Sequence, residues 1–135
     1  MGDRYRVPLL TTVRVVNHTK QTLVAARVAI ARTWWQRAVG LLGRSALADG
    51  EGLLLAPCRS IHTCGMRFPI DVVLLDRHVQ VVRCLRQVVP FRVTPPVWRA
   101  WAALELAAGS ILTSRTEVGD TFGVDPRPEF LKLNA

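Results

Sequence analysis

The chain has 135 residues, half of them hydrophobic, and a formal charge of +8. That is the size and apolar content of a single domain with its own core, with a radius of gyration of about 14 Å. Apolar runs such as Val72 to Leu75 fall far short of the ~20 residues a membrane-crossing helix requires, and the first ten residues contain no long apolar segment of the signal-peptide kind. No membrane span is therefore expected, and the location expected is cytoplasmic.

Of 18 basic residues only Lys20 and Lys132 are lysines. The arginines are spread along the chain, which fits GC-rich codon usage better than a basic patch, so nucleic-acid binding rests on charge alone. Cys58, Cys64 and Cys84 form an odd set without secretory context, which argues against a disulfide framework.

In chain order, "TTVRVV" (residues 11–16) is rich in β-branched residues and reads as a strand. "NHTKQ" is a polar turn, and "TLVAARVAI" a second strand completing a hairpin. Thr33 can cap a helix over "WWQRAVGLL", where Trp35, Val39 and Leu42 share one face and Gly43 stops it. "SALADGEG" is a polar loop and "LLLAP" a short buried strand ended by Pro57.

Residues 70–76 and 79–85 are two further strands. Only Arg77 and His78 separate them, and neither is a residue that two-residue hairpin turns prefer, so a slightly longer turn is expected. "VVPFRVTPP" is extended but irregular. "AALELAAG" is a strand closed by Gly109, "SILTSRTEV" offers one or two helical turns, and "GD" turns into "TFGV". The expected fold is mainly β (α+β): one domain over residues 1–135, a compact β sandwich or barrel with one short helix packed on it. Its core spans about residues 7–124, and 125–135 form a C-terminal tail in which "FLKLN" alternates like an edge strand.

Three blocks resemble a known family, domain of unknown function 192, also called uncharacterised protein family 0127. They are "RAVGLLGRSAL", "SIHTCGMRFPIDVVLLD", and "LELAAG" with the later "VGD". The resemblance covers about residues 13–122 and implies a compact, mostly β domain without implying an activity. Many family members carry Trp-Met-Lys-Asn-Thr at residues 62–66. This chain has His-Thr-Cys-Gly-Met there and resembles a second branch, in which the position of Cys64 is commonly aromatic.

Several residues could carry chemistry. On a strand, His62 and Cys64 would lie on one face about 6.6 Å apart, a spacing suited to one metal. No third ligand is selected by spacing, and no CxxC or HxxxH motif is present, so no metal and no cofactor is expected. Asp71 shares a strand face with Val73 and Leu75, and Glu105 shares one with Ala103 and Ala107. A buried carboxylate must be paired, hydrogen-bonded or turned to a cavity. Arg37 and Arg44 are the natural partners, and the resemblance retains all four residue types at these positions. Arg37, Arg44, Asp71 and Glu105 are therefore expected to be structural polar anchors.

The competing reading is a small hydrolase, with His62 and either Asp71 or Glu105 as acid and base. A Ser60/His62/Asp71 triad is disfavoured, because neighbours on one short segment rarely reach triad geometry and no G-x-S-x-G motif accompanies them. Trp98 and Trp101, at i and i+3 beside Arg99, are read as core packing, with an exposed aromatic surface as the alternative. The favoured function is a non-enzymatic binding or accessory domain for a small molecule or a peptide. Its groove would lie near residues 60–71, with His62, Thr63, Met66 and Arg67 on the rim.

Overall fold

A computed structural model of the chain describes residues 12–31, 47–60, 68–90, 92–128 and 131. The β-branched run at the start forms β1 (Thr12–Asn17), which turns at residues 18–21 into antiparallel β2 (Thr22–Ala31). Then follow β3 (Glu51–Leu55), β4 (Ile70–Leu75), β5 (Val81–Val88), β6 (Ala102–Ala107), the short helix α1 (Ser110–Thr113) and β7 (Phe122–Asp125). All seven strands join one sheet in the order β5-β4-β6-β3-β2-β1-β7. The helix expected over residues 33–43 lies outside the described residues. The described helix, α1, forms in the "SILTSRTEV" stretch read as one or two turns.

The sheet is antiparallel except where β3 runs parallel to β2, with Val28 opposite Gly52 and Ala31 opposite Leu55. Parallel neighbours require a crossover, and residues 32–50 supply the chain for it. β3 begins at Glu51, taking two residues from the expected polar loop. Gly52 explains how it can: a Cβ there would lie 2.9 Å from the Glu105 carbonyl oxygen and 3.0 Å from Leu106 Cδ2. Only a residue without a side chain lets β3 approach β6 this closely.

The turn between β4 and β5 spans residues 76–80 and is longer than Arg77-His78. Asp76 organises it by accepting hydrogen bonds from the His78 and Gln80 amides through Oδ1, at 2.8 and 3.0 Å. This is an Asx-type turn, and the residue it holds at positive φ is Val79, at 61°, rather than Arg77 or His78.

The sheet curls into a half-barrel. Val81 of β5 and Phe122 of β7 stand at opposite edges of the strand order, yet they share one apolar cluster with Val15, Val28, Leu54, Val73, Leu104 and Ile111. The two edges also meet directly: Gln80 bridges Thr121, the Val81 amide donates to the Asp120 carbonyl at 2.8 Å, and the Gly119 amide donates to the Val81 carbonyl at 2.8 Å. Leu131 of the tail is buried in this inner cluster. The outer face carries a second cluster that includes Leu53, Leu55, Ile70, Val72, Leu74, Ala103 and Ala107. β4 and β6 are buried along their whole lengths because both faces are covered, which is why they read as near-continuous apolar runs rather than alternating ones. Among the described residues, no helix is long and apolar enough to cross a membrane.

Candidate functional site

Asp71 and Glu105 lie on adjacent strands, one residue out of register: Asp71 pairs with Leu106, and Val72 pairs with Glu105. Paired residues project to the same face and successive residues to opposite faces. The two carboxyls therefore point to opposite sides of the sheet. Asp71 faces inward with Val73 and Leu106, and Glu105 faces outward with Val72 and Ala103.

Asp71 is completely buried. Its Oδ1 accepts the Gln87 amide at 2.9 Å, and its Oδ2 accepts the amides of Gly109 at 3.1 Å and Ile111 at 2.9 Å. The pairing of β4 with β5 slips between Ile70 and Val72, and Gln87 there adopts a positive φ of 51°. The resulting bulge aims a free N–H at the carboxylate. The other two donors belong to the start of α1, whose cap residue Gly109 supplies no side-chain acceptor. Asp71 thus caps, from a neighbouring strand, donors that the helix leaves open. Among the described residues its hydrogen-bond partners are backbone amides, and the expected partners Arg37 and Arg44 lie outside them.

Glu105 has the opposite environment. It is 6% exposed, flanked along β6 by Ala103 and Ala107, and set across from Leu53 and Val72. Among the described residues no hydrogen bond or ion pair reaches its carboxyl. Burial pushes it up from 4.5 to about 7, as expected for a carboxyl withdrawn from water without a compensating charge. A carboxyl poised there donates a proton to an acceptor when neutral and accepts from a cation or an N–H when ionised.

The segment proposed from sequence as a groove begins and ends on this outer face. Cys58 and Phe68, which bracket residues 59–67, pack in the same cluster as Ala103 and Ala107. The Cys58 thiol donates to the Ser60 carbonyl at 2.9 Å. His62, Thr63, Cys64, Met66 and Arg67 lie outside the described residues, as does the His62/Cys64 metal pair. Among the described residues no cluster of three or more His, Cys, Asp or Glu is placed to hold a metal.

The two described tryptophans divide. Trp101 packs against the inner cluster with the Arg77 guanidinium 3.9 Å over its ring, while Trp98 is 79% exposed. A polar knot that the sequence reading passed over joins the β1–β2 turn to the loop before β7. Asn17, fully buried, donates from Nδ2 to Asp120 Oδ2 at 2.9 Å and to Thr116 Oγ1 at 3.3 Å, and its Oδ1 accepts the Lys20 amide at 3.0 Å. Lys20 Nζ bridges Asp120 and Glu117 at 2.8 and 2.9 Å. Burial pushes the Asp120 carboxyl up, but the hydrogen bonds from Asn17, Lys20 and the Glu117 amide outweigh it and hold the group below its ordinary value. The sequence signals for this knot are an Asn at the end of a strand and the Asp of the "VGD" block, both of which normally read as turn chemistry.

Two solved structures share the fold. One is a protein of unknown function from Novosphingobium aromaticivorans, 22% identical, with a TM-score of 0.68 over 84% of each chain. The other, from Sinorhizobium meliloti and provisionally described as a transcription regulator, is 18% identical, with a TM-score of 0.69 over 84% of this chain and 92% of its own. No curated protein matches the chain. The model of the DUF192 family, described as "Uncharacterized ACR", matches residues 15–124, a span from β1 to β7 that contains Asp71 and Glu105. The chain belongs to the DUF192 family.

Proposed function

We propose that the protein is a non-enzymatic binding domain whose ligand lies in a groove on the outer face of the sheet near residues 60–71, with Glu105 in its floor. The observation that carries this reading is the buried, near-neutral Glu105 carboxyl, unpartnered among the described residues, on the face where Cys58 and Phe68 anchor the two ends of the groove segment. Such a carboxyl is costly to folding, and a ligand that supplies its missing hydrogen bond offsets that cost. The ligand class is a small molecule or peptide with an apolar body and one polar group directed at Glu105. His62, Thr63, Met66 and Arg67 form the rim, where the His-Thr-x-Gly-Met form distinguishes this chain's branch from the Trp-Met-Lys-Asn-Thr form.

Native mass spectrometry of the protein purified without denaturation tests this. Wild type is expected to carry a bound mass that Glu105→Gln has lost while remaining folded. Identical spectra for the two proteins would refute the proposal.

A hydrolase reading draws on the same near-neutral carboxyl, with His62 as its partner. It cannot draw Asp71 and Glu105 into one pocket, because the sheet separates them. Turnover of ester or amide substrates that follows a pH inflection near 7, abolished in Glu105→Gln, would favour it over simple binding.

A further inference from the structure

Apart from the groove proposed on the outer face, a cavity of about 690 Å³ opens on the inner side of the half-barrel. The edges of the sheet are joined around Gln80 and Thr121. Past that junction β5 pairs only with β4 among the described residues. The cavity occupies the gap between this open stretch of β5, α1 and the loop that follows α1.

Its walls are of two kinds. Cys84 and Ile111 are apolar and continuous with the inner core. The Cys84 thiol, pushed up to about 11 chiefly by burial, stays protonated and acts as a small hydrophobe. At the mouth, Leu112 and Val118 are 68% and 64% exposed, so two large aliphatic side chains in water flank one opening. The same mouth carries Lys20, Arg86 and Arg115 against a single acid, Glu117. Lys20 is already engaged by Glu117 and Asp120. Among the described residues Arg115 donates only to the Lys20 carbonyl, at 3.2 Å, and no hydrogen bond or ion pair engages Arg86. Two guanidinium groups with open donors thus stand beside an aliphatic mouth and an apolar interior, in a volume typical of small-molecule sites.

We infer that this cavity binds a small anionic amphiphile: an aliphatic chain lying against Ile111, Cys84, Leu112 and Val118, with a carboxylate or phosphate head held by Arg86 and Arg115. The pairing of residue types carries the inference, because neither an inorganic anion nor a neutral hydrocarbon would use both walls.

The test is calorimetric titration of the full chain, below micellar concentrations, with decanoate, decyl phosphate, decanol, acetate and inorganic phosphate. Decanoate and decyl phosphate are expected to bind at least tenfold more tightly than decanol, acetate or phosphate, and their ratio identifies which head group is preferred. Arg86→Glu/Arg115→Glu, two exposed positions, is expected to weaken the amphiphile at least tenfold, and Leu112→Ser/Val118→Ser to weaken it while leaving the melting temperature near wild type. Glu105→Gln, on the other side of the sheet, is expected to leave it unchanged, so this site and the outer groove succeed or fail separately. Absent binding, equal binding of decanol and decanoate, or decanoate affinity indifferent to the arginine reversals would overturn the inference.

Discussion

Two carboxyls one register step apart on neighbouring strands have opposite chemistry because the sheet turns them to opposite faces. Asp71 satisfies three backbone amides at once. Removing a buried acceptor leaves its donors without water or protein, at about 1–3 kcal/mol for each. Asp71→Ala is therefore expected to lower unfolding free energy by about 3 kcal/mol or more, and Asp71→Asn by less, as read from urea denaturation. Glu105 behaves in the reverse sense. Its folded-state value is raised, so its contribution to stability is complete below 4.5 and is lost as pH climbs to about 7. The loss is about 3 kcal/mol by linkage. Glu105→Gln should match wild type near pH 4 and exceed it near pH 8. Equal stability of the two proteins at pH 8 would show that the carboxylate is paired.

At the scale of elements, the approach of β3 to β6 depends on Gly52. Gly52→Ala would press a methyl group to 2.9 Å from a backbone oxygen of Glu105 that has no rotamer to escape into. A loss of about 1–3 kcal/mol is expected from overpacking of this kind, checked by the same unfolding curves. The strands themselves were legible in the sequence, because "TTVRVV", "IDVVLLD" and "AALELAAG" carry the β-branched and apolar runs that strands require. The turn after β4 was legible as longer than two residues from what Arg77 and His78 are not. The parallel placement of β3 was not legible, since five residues covered on both faces carry no mark of direction. Nor was the separation of Asp71 from Glu105. Each carboxylate's face follows from its own strand, but the relative register of β4 and β6 is a long-range fact that neither strand encodes alone. The apolar residues around Asp71 in "PIDVVLLD" are visible in the sequence, whereas its backbone donors come from a bulge and a helix start, which are properties of the assembled fold.

At the scale of the whole molecule, the half-barrel is joined where the start of β5 meets the loop before β7, and Asn17 is the central group of the knot that ties this loop to the β1–β2 turn. Asn17→Ala would leave the Lys20 amide and one face of Asp120 unsatisfied. A loss of about 2 kcal/mol is expected, together with faster hydrogen exchange at the Val81 and Gly119 amides that join the two edges. Asp120 is held below its ordinary 3.8, so its stabilisation is present above that pH and is lost as pH falls through the folded-state value. Asp120→Asn should flatten this acid limb of the stability profile. Among the described residues, the ligand sites proposed above lie on the outer face around Glu105 and in the gap beside β5. The most direct test of a ligand-binding Glu105 is a carbon-13 titration of its side-chain carboxyl in the folded protein. A midpoint near pH 7 is expected for a buried carboxyl that awaits a ligand. A midpoint at or below 4.5 would mean that the protein already satisfies this carboxyl itself and leaves no role there for a ligand.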